Sequence, residues 1–277
     1  MKMLDRHYVL IHKRDDCVGC TICMRICPQE AIQMTPPIVE KGRLIRRLEI
    51  NLDSSKCNFC GECVVLCPMN AIQMIINGER KIPIVESKAF PALLKERFTS
   101  LELCEPSCEF ACEKACPREA IKVRVEGKRK DSKILSVDVD LKKCIFCKQC
   151  VDACPYGAIE VKKFFLGIHQ LNATLCPEGC VACTEICPSK SLEIDEDGKP
   201  VVDEKFCIHC GACERVCEVA CKEKPIDVKI TGVRHTDVES GAWTSALKKL
   251  ASEGAMAKEV NSTSMQHLRK VITEVLT

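Results

Sequence analysis

The first residues able to do chemistry are four closely spaced thiols, Cys17, Cys20, Cys23 and Cys27, followed at once by Pro28. Thiolates are soft donors suited to iron–sulfur cores. In a run of this spacing three sulfurs hold one 4Fe-4S cluster and the fourth reaches to a neighbouring one. The pattern recurs at Cys57, Cys60, Cys63 and Cys67; Cys104, Cys108, Cys112 and Cys116; Cys144, Cys147, Cys150 and Cys154; Cys176, Cys180, Cys183 and Cys187; and Cys207, Cys210, Cys213 and Cys217. Of the 25 cysteines, only Cys221 falls outside the six runs.

The reach of the fourth thiol implies reciprocal ligation within each consecutive pair of runs. Cys17, Cys20 and Cys23 go with Cys67, and Cys57, Cys60 and Cys63 with Cys27. Likewise Cys104, Cys108 and Cys112 go with Cys154, and Cys144, Cys147 and Cys150 with Cys116. Cys176, Cys180 and Cys183 go with Cys217, and Cys207, Cys210 and Cys213 with Cys187. The third and fifth runs hold an extra residue between some cysteines, which can bulge from the loop while Pro117 and Pro188 stay in place.

The sixth run is the least regular, because Glu218 stands where proline is expected. Counting forward from Cys213 selects Cys217 as its fourth ligand; counting back from Pro225-Ile226 selects Cys221. Spacing within the run favours Cys217, which leaves Cys221 as a buried free thiol. Small residues such as Gly19, Gly61 and Gly211 suit loops whose backbone passes close to an inorganic core. Phe59 and Phe146 are expected to screen clusters from water, and His209, at the equivalent position, to be solvated.

Other readings of these thiols fit less well. Zinc ribbons separate two Cys-x-x-Cys pairs by a longer loop, and disulfide frameworks belong to exported chains with paired cysteines. No phosphate-binding glycine loop, Rossmann fingerprint or nucleophile–base set lies between the runs, so electron carriage without catalysis is the expectation.

Composition points the same way. With 8 Phe, 2 Tyr and 1 Trp in 277 residues, a large aromatic core is excluded and stability must draw on something besides burial. The formal charge of +2 becomes roughly −10 once six cores of about −2 each are counted with their thiolates. The 41 Lys and Arg are then partly counterions, and no nucleic-acid partner is expected. The charged start lacks an apolar leader core and no apolar run reaches the roughly 18 residues of a membrane span, so a cytoplasmic setting is expected.

The elements around the thiols repeat as well. Ala31-Ile-Gln-Met, Ala71-Ile-Gln-Met, Ala120-Ile-Lys-Val, Ala158-Ile-Glu-Val and Ser191-Leu-Glu-Ile alternate with period two and read as short strands leaving the runs. Leu52-Asp53, Val139-Asp140 and Val202-Asp203 lead into runs, and Asn77-Gly78, Glu126-Gly127 and Asp197-Gly198 mark turns. The pattern predicts an α+β chain of three tandem units with short antiparallel strands, at 1–86, 87–168 and 169–231, and a helical tail at 232–277. Residues 87–103 read as a helix from about Pro91, and Phe164 to Asn172 as a short apolar connection that packs two units together. In the tail, Ser240 could cap a helix with Trp243, Leu247 and Leu250 on one face, and Ser262 or Ser264 a second with Met265, Leu268, Ile272 and Val275. Such helices must dock, either on an apolar face of this chain or on a partner.

The six runs with their trailing strands resemble repeated bacterial 2(4Fe-4S) ferredoxins over about residues 15–230. Several such units in one chain look like the polyferredoxins of methanogenic archaea. The stretch Val233-Arg-His-Thr-Asp-Val-Glu-Ser-Gly-Ala-Trp243 is similar to the polyferredoxin subunit of formylmethanofuran dehydrogenase, a family that has eight runs where this chain has six. The resemblance implies six 4Fe-4S clusters in an electron-conducting subunit, partnered by catalytic subunits of an oxidoreductase complex and a low-potential donor. Anaerobically purified protein should therefore contain about 24 iron and about 24 acid-labile sulfide per chain. A colourless, metal-free chain that is still folded would overturn the reading.

Overall fold

The computed structural model describes residues 2–3, 6–127 and 133–251. In the first unit β1 (Lys2–Met3) and β2 (Arg6–His12) precede the first run, whose third cysteine lies in α1 (Ile22–Ile26). Four strands follow, β3 (Ile32–Thr35), β4 (Ile38–Glu40), β5 (Arg43–Arg46) and β6 (Glu49–Leu52), then α2 (Glu62–Val65), β7 (Ile72–Ile76), β8 (Glu79–Arg80) and α3 (Pro83–Glu86). The second unit holds β9 (Arg97–Thr99), α4 (Ala111–Lys114), β10 (Ile121–Glu126), β11 (Lys133–Val139), α5 (Gln149–Asp152) and β12 (Ile159–Val161). The third holds β13 (Phe165–Leu171), α6 (Ala182–Ile186), β14 (Leu192–Ile194), β15 (Pro200–Val202), α7 (Ala212–Ala220) and β16 (Ile226–Val233), and α8 (Gly241–Ala251) follows.

Each unit has one plan. An outer antiparallel pair joins its two ends, β2 with β7, β9 with β12 and β13 with β16. An inner pair bridges its two runs, β3 with β6, β10 with β11 and β14 with β15. Every run is thus held by a strand on each side. The helices are short because proline cannot continue a helix, so α1 and α6 stop one residue before their Cys-Pro pairs. The first residue of each outgoing strand, Ile32, Ile72, Ile121, Ile159, Leu192 and Ile226, is buried, which fixes which face of the strand turns inward.

The helix expected from about Pro91 does not form. Phe90 and Leu93 are buried instead, Leu93 bridges to His235, and β9 pairs Arg97, Phe98 and Thr99 with Val161, Glu160 and Ile159 of β12. Closing the second unit's outer pair outweighs the local helical preference. The Phe164–Asn172 connection does pack units together, with the Phe164 ring 5.7 Å from Phe146 and 4.9 Å from Phe165. It is also strand β13, which straddles the expected boundary between 168 and 169.

A hairpin that the sequence pattern did not announce, β4 and β5, reaches from the first unit to the third. Its turn residue Gly42 has φ +73°, and a Cβ there would come within 2.6 Å of the Cys180 Cα, so only glycine allows this approach. The Val181 amide donates to the Gly42 carbonyl, and Glu185 takes the Leu44 amide at 2.7 Å and the Arg43 guanidinium at 2.6 Å.

The tail docks on its own chain. Ser240 Oγ accepts the Trp243 amide at 3.1 Å as an N-cap and donates to the Ala89 carbonyl at 2.7 Å. Trp243, Ala246 and Leu250 are buried against the second unit and α1, and Arg25 donates to the Leu250 carbonyl at 2.7 Å near the other end of the helix. The second expected tail helix lies outside the described residues. Trp243 meets Phe90 edge-on at 5.3 Å and His235 at 4.6 Å. Trp243→Ala should cost about 3–5 kcal/mol, read as a lower anaerobic denaturation midpoint by far-UV circular dichroism with iron content unchanged. An unmoved midpoint would show that α8 does not hold the fold.

Candidate iron–sulfur centres

Left-handed backbone shapes each run. Thr21, Phe59, Phe146, Lys148 and His209 have φ between 53° and 72° although none is glycine. Such conformations cost about 1–3 kcal/mol each and persist only where surroundings enforce them. Here they aim backbone amides at sulfur. The His209 amide approaches Cys207 Sγ at 3.4 Å, and amides at Gly19, Glu62, Phe146 and Ala212 serve Cys17, Cys60, Cys144 and Cys210 in the same way. The fourth thiols take an amide four residues on: Ala31 to Cys27 at 3.4 Å, Ala71 to Cys67 and Ala120 to Cys116 at 3.2 Å, and Ser191 to Cys187 at 3.4 Å. Extra residues in the irregular runs are absorbed locally, by a 3-10 turn at Pro106–Cys108 and by Gly179 at φ +70°.

Thiols from paired runs converge in the crossed sense. One apolar recess is lined by Cys17, Cys20, Cys23 and Cys67, another by Cys57, Cys60, Cys63 and Cys27, and a third by Cys104, Cys108, Cys112 and Cys154. Electrostatics group Cys144, Cys147 and Cys150 with Cys116, and Cys207, Cys210 and Cys213 with Cys187. Around Cys176, Cys180 and Cys183 two candidates compete. Cys217 interacts with Cys183 and Cys176, and Cys221 with Cys180 and Cys176.

Burial first, and neighbouring thiolates next, push these thiols upward. Cys183 and Cys210 rise to about 12 and Cys150 to about 11, and Cys20, Cys63 and Cys213 rise well above the ordinary thiol range. Only a cationic core makes such groups good thiolates at neutral pH. Among the described residues no three Cys, His, Asp or Glu side chains close on one point at the spacing a single ion requires. The four-thiol sets, with soft donors and amide hydrogen bonds to sulfur, suit a cubane.

The sites are arranged as a junction. Cys20 of the first site interacts with Cys210 of the sixth; Lys95 with Cys67 of the first and Cys144 of the fourth; and Lys163 with Cys207 of the sixth and Cys147 of the fourth. Polar bonds fix the second and third of these contacts. Asn70 donates to the Leu141 and Lys142 carbonyls and accepts from Lys95 at 2.8 Å, Gln149 donates to the Ser189 carbonyl, and Lys163 to the Glu204 carbonyl. The first, fourth and sixth sites meet at the centre, one per unit. The second, third and fifth each neighbour one of these within their own unit and form the outer set.

A family model described as 4Fe-4S dicluster domain matches residues 16–71 and 103–158, and a second model of the same description matches 169–218. The chain belongs to the dicluster ferredoxins. A chain of the formate dehydrogenase – heterodisulfide reductase – formylmethanofuran dehydrogenase complex from Methanospirillum hungatei shares its fold, with TM-score 0.76 and 27% identity over 91% of this chain and 87% of that one. The polyferredoxin-like subunit of an aliphatic sulfonate oxidoreductase from Pyrococcus furiosus is 33% identical over 87 residues, which are 27% of this chain and 49% of that protein. One component of an ion-translocating oxidoreductase complex from Methanosarcina acetivorans is 45% identical over 51 residues, 18% of each chain. The chain thus spans less than half the length of these two curated relatives.

Two histidines give this dicluster ferredoxin a feature that the thiol spacing did not reveal. His209, expected in solvent, is only 6% exposed, because β13 crosses over it at Gly167, where a Cβ would sit 2.8 Å from the imidazole. His169, on β13 and equally buried, brings Nε2 to 3.6 Å from Cys213 Sγ. Burial is the main cause that lowers both histidines below their ordinary range. The signal for His169 was in register: it lies opposite Val228 on β16, an inward position of an alternating strand. Phe146 is fully buried as a screen, whereas Phe59 is half-buried against Tyr8.

Two variants test the geometry. Cys67→Ala should remove or convert the first-run cluster and spare the second, read by EPR and about four fewer iron per chain. The reverse pattern would refute crossed pairing. His169→Ala removes a group facing a sulfur and should move one reduction potential to more negative values while the others hold, in a redox titration followed by EPR.

Proposed function

We propose that the chain is an electron-conducting subunit with six 4Fe-4S clusters, fixed inside a larger oxidoreductase assembly. The carrying observation is the junction: the first and sixth thiol sets approach each other through Cys20 and Cys210, Lys95 lies between the first and fourth, and Lys163 between the fourth and sixth, each set backed by an outer one in its own unit. When bound, each cubane supplies one-electron exchange. The chain's own residues set the distances through the inner and outer strand pairs, keep water away with Phe146, Phe164 and Phe165, and bias potentials through hydrogen bonds to sulfur. The sixth site carries the richest set, with Ser189 and Ser191 hydroxyls and the Ser191 amide at Cys187 and His169 at Cys213. Such bonds favour the reduced, more negative core, so this inner site is the electron sink of the junction.

Six sites spread over three units give more than one place for exchange with partners, which suits a distributing role more than that of a carrier with one docking face. A cleft lined by Lys148, Lys162, Lys163, Lys205 and Arg234, with Asp152 in its wall and Glu96 paired to Lys162 and Arg234, keeps a surplus of positive charge for an acidic donor. The solved complex that shares this fold names formylmethanofuran dehydrogenase among its enzymes. The proposed setting is accordingly methanogenic carbon dioxide reduction, with the pterin and carbon dioxide chemistry on other chains. No helix among the described residues is long and apolar enough to cross a membrane.

Anaerobic affinity purification of the chain from its native cell should bring down catalytic oxidoreductase subunits in fixed ratio. Elution as a lone 30.9 kDa species would make it a diffusing electron carrier or store instead. Co-elution with an unrelated hydrogenase or reductase would keep the conducting role and replace the assembly.

A further inference from the structure

We infer that Cys221, and not Cys217, is the fourth ligand of the fifth-run cluster, and that Cys217 serves as a hydrogen-bond donor to it. Two features of the chain's own geometry, strand register and helix length, carry this assignment, which rests on the six-cluster reading above, and a third accounts for the part left to Cys217.

The first is strand register. Cys27, Cys67, Cys116, Cys154 and Cys187 each stand five residues before the first residue of an outgoing strand, at Ile32, Ile72, Ile121, Ile159 and Leu192. Cys221 stands five residues before Ile226, and Cys217 nine.

The second is helix length. Cys27 and Cys187 are the extended C-caps of α1 and α6, at ψ 119° and 113°, because the following proline ends the helix there. Glu218 imposes no such stop, and Arg215 holds it with two bonds of 3.0 and 2.9 Å. Helix α7 therefore runs on one extra turn to Ala220, enclosing Cys217, and its extended C-cap is Cys221 at ψ 137°. The inserted turn moves the end of the helix, and the cysteine at that end moves with it.

The third is the hydrogen-bond pattern at sulfur. The residue four positions after the fourth thiol gives it an amide at Ala31, Ala71, Ala120 and Ser191. Four positions after Cys221 stands Pro225, which has no N–H to give. The Cys217 thiol fills that role, donating to Cys221 Sγ at 3.5 Å. Cys221 also contacts Cys180, a member of the fifth run. Both thiols are buried, at 6% and 8% exposure.

The test is made on the full chain, purified anaerobically, with iron and sulfide counts and an EPR-monitored redox titration. The wild-type count checks the six-cluster reading separately, and the inference is read from the difference between two variants. Cys217→Ala should keep the wild-type iron and shift a single potential to more negative values, because one donor to a ligand sulfur is lost. Cys221→Ala should lose about four iron, or convert one cluster to a smaller species. Loss of about four iron in Cys217→Ala, or a full complement in Cys221→Ala, overturns the assignment. Should Cys221→Ala fail to fold, Cys217→Ala decides alone by whether its iron count equals the wild type's.

Discussion

The crowding of thiols in apolar surroundings is the constraint on which this structure depends. As free groups they would be poor acids and weak packing elements, raised by burial and then by one another, Cys147 to about 12 and others further. A cationic core converts that liability into a crosslink. Four sulfurs drawn from two distant runs tie together segments that the short strands could not hold alone, since an isolated pair of three or four residues is barely stable in water. The crossed sense of the sets matters mechanically, because each core then closes the unit on itself.

Around that constraint the apolar residues take a supporting part. The buried clusters are threaded by cysteines throughout, and most aromatic contacts lie where units meet: Phe146 with Phe164, Phe164 with Phe165, Phe90 with Trp243. The hairpin tip at Gly42, the Asn70 amide and Gln149 stitch the three units with ordinary polar bonds. The result is a body in which the first, fourth and sixth sites, one from each unit, are neighbours.

Hydrogen bonds to sulfur are distributed unevenly over that body, and this is where the chain tunes what its spacing leaves equal. The first and fourth sites receive backbone amides, whereas the sixth adds hydroxyls and an imidazole. Burial disfavours the charged ring at His169 and His209 and lowers both below the ordinary imidazole range. Lys95 and Lys163 are likewise depressed by desolvation, with neighbouring thiolates opposing that shift, as expected of cations that face negatively charged cores.

The sequence by itself determined the thiol runs, the short outgoing strands, the three-unit plan and the Ser240-capped helix. These follow from local grammar: ligand spacing, a proline that ends a helix, alternation of period two, a hydroxyl before an apolar stripe. Tertiary structure alone decided the rest. Whether residues near Pro91 became helix or strand depended on β12, far along the chain, and whether His209 met solvent depended on β13 crossing it. The meeting of first, fourth and sixth sites is legible in no run, because each run encodes its own loop but not which neighbour lies against it. Long-range contacts choose among locally acceptable conformations, and only the folded chain contains them.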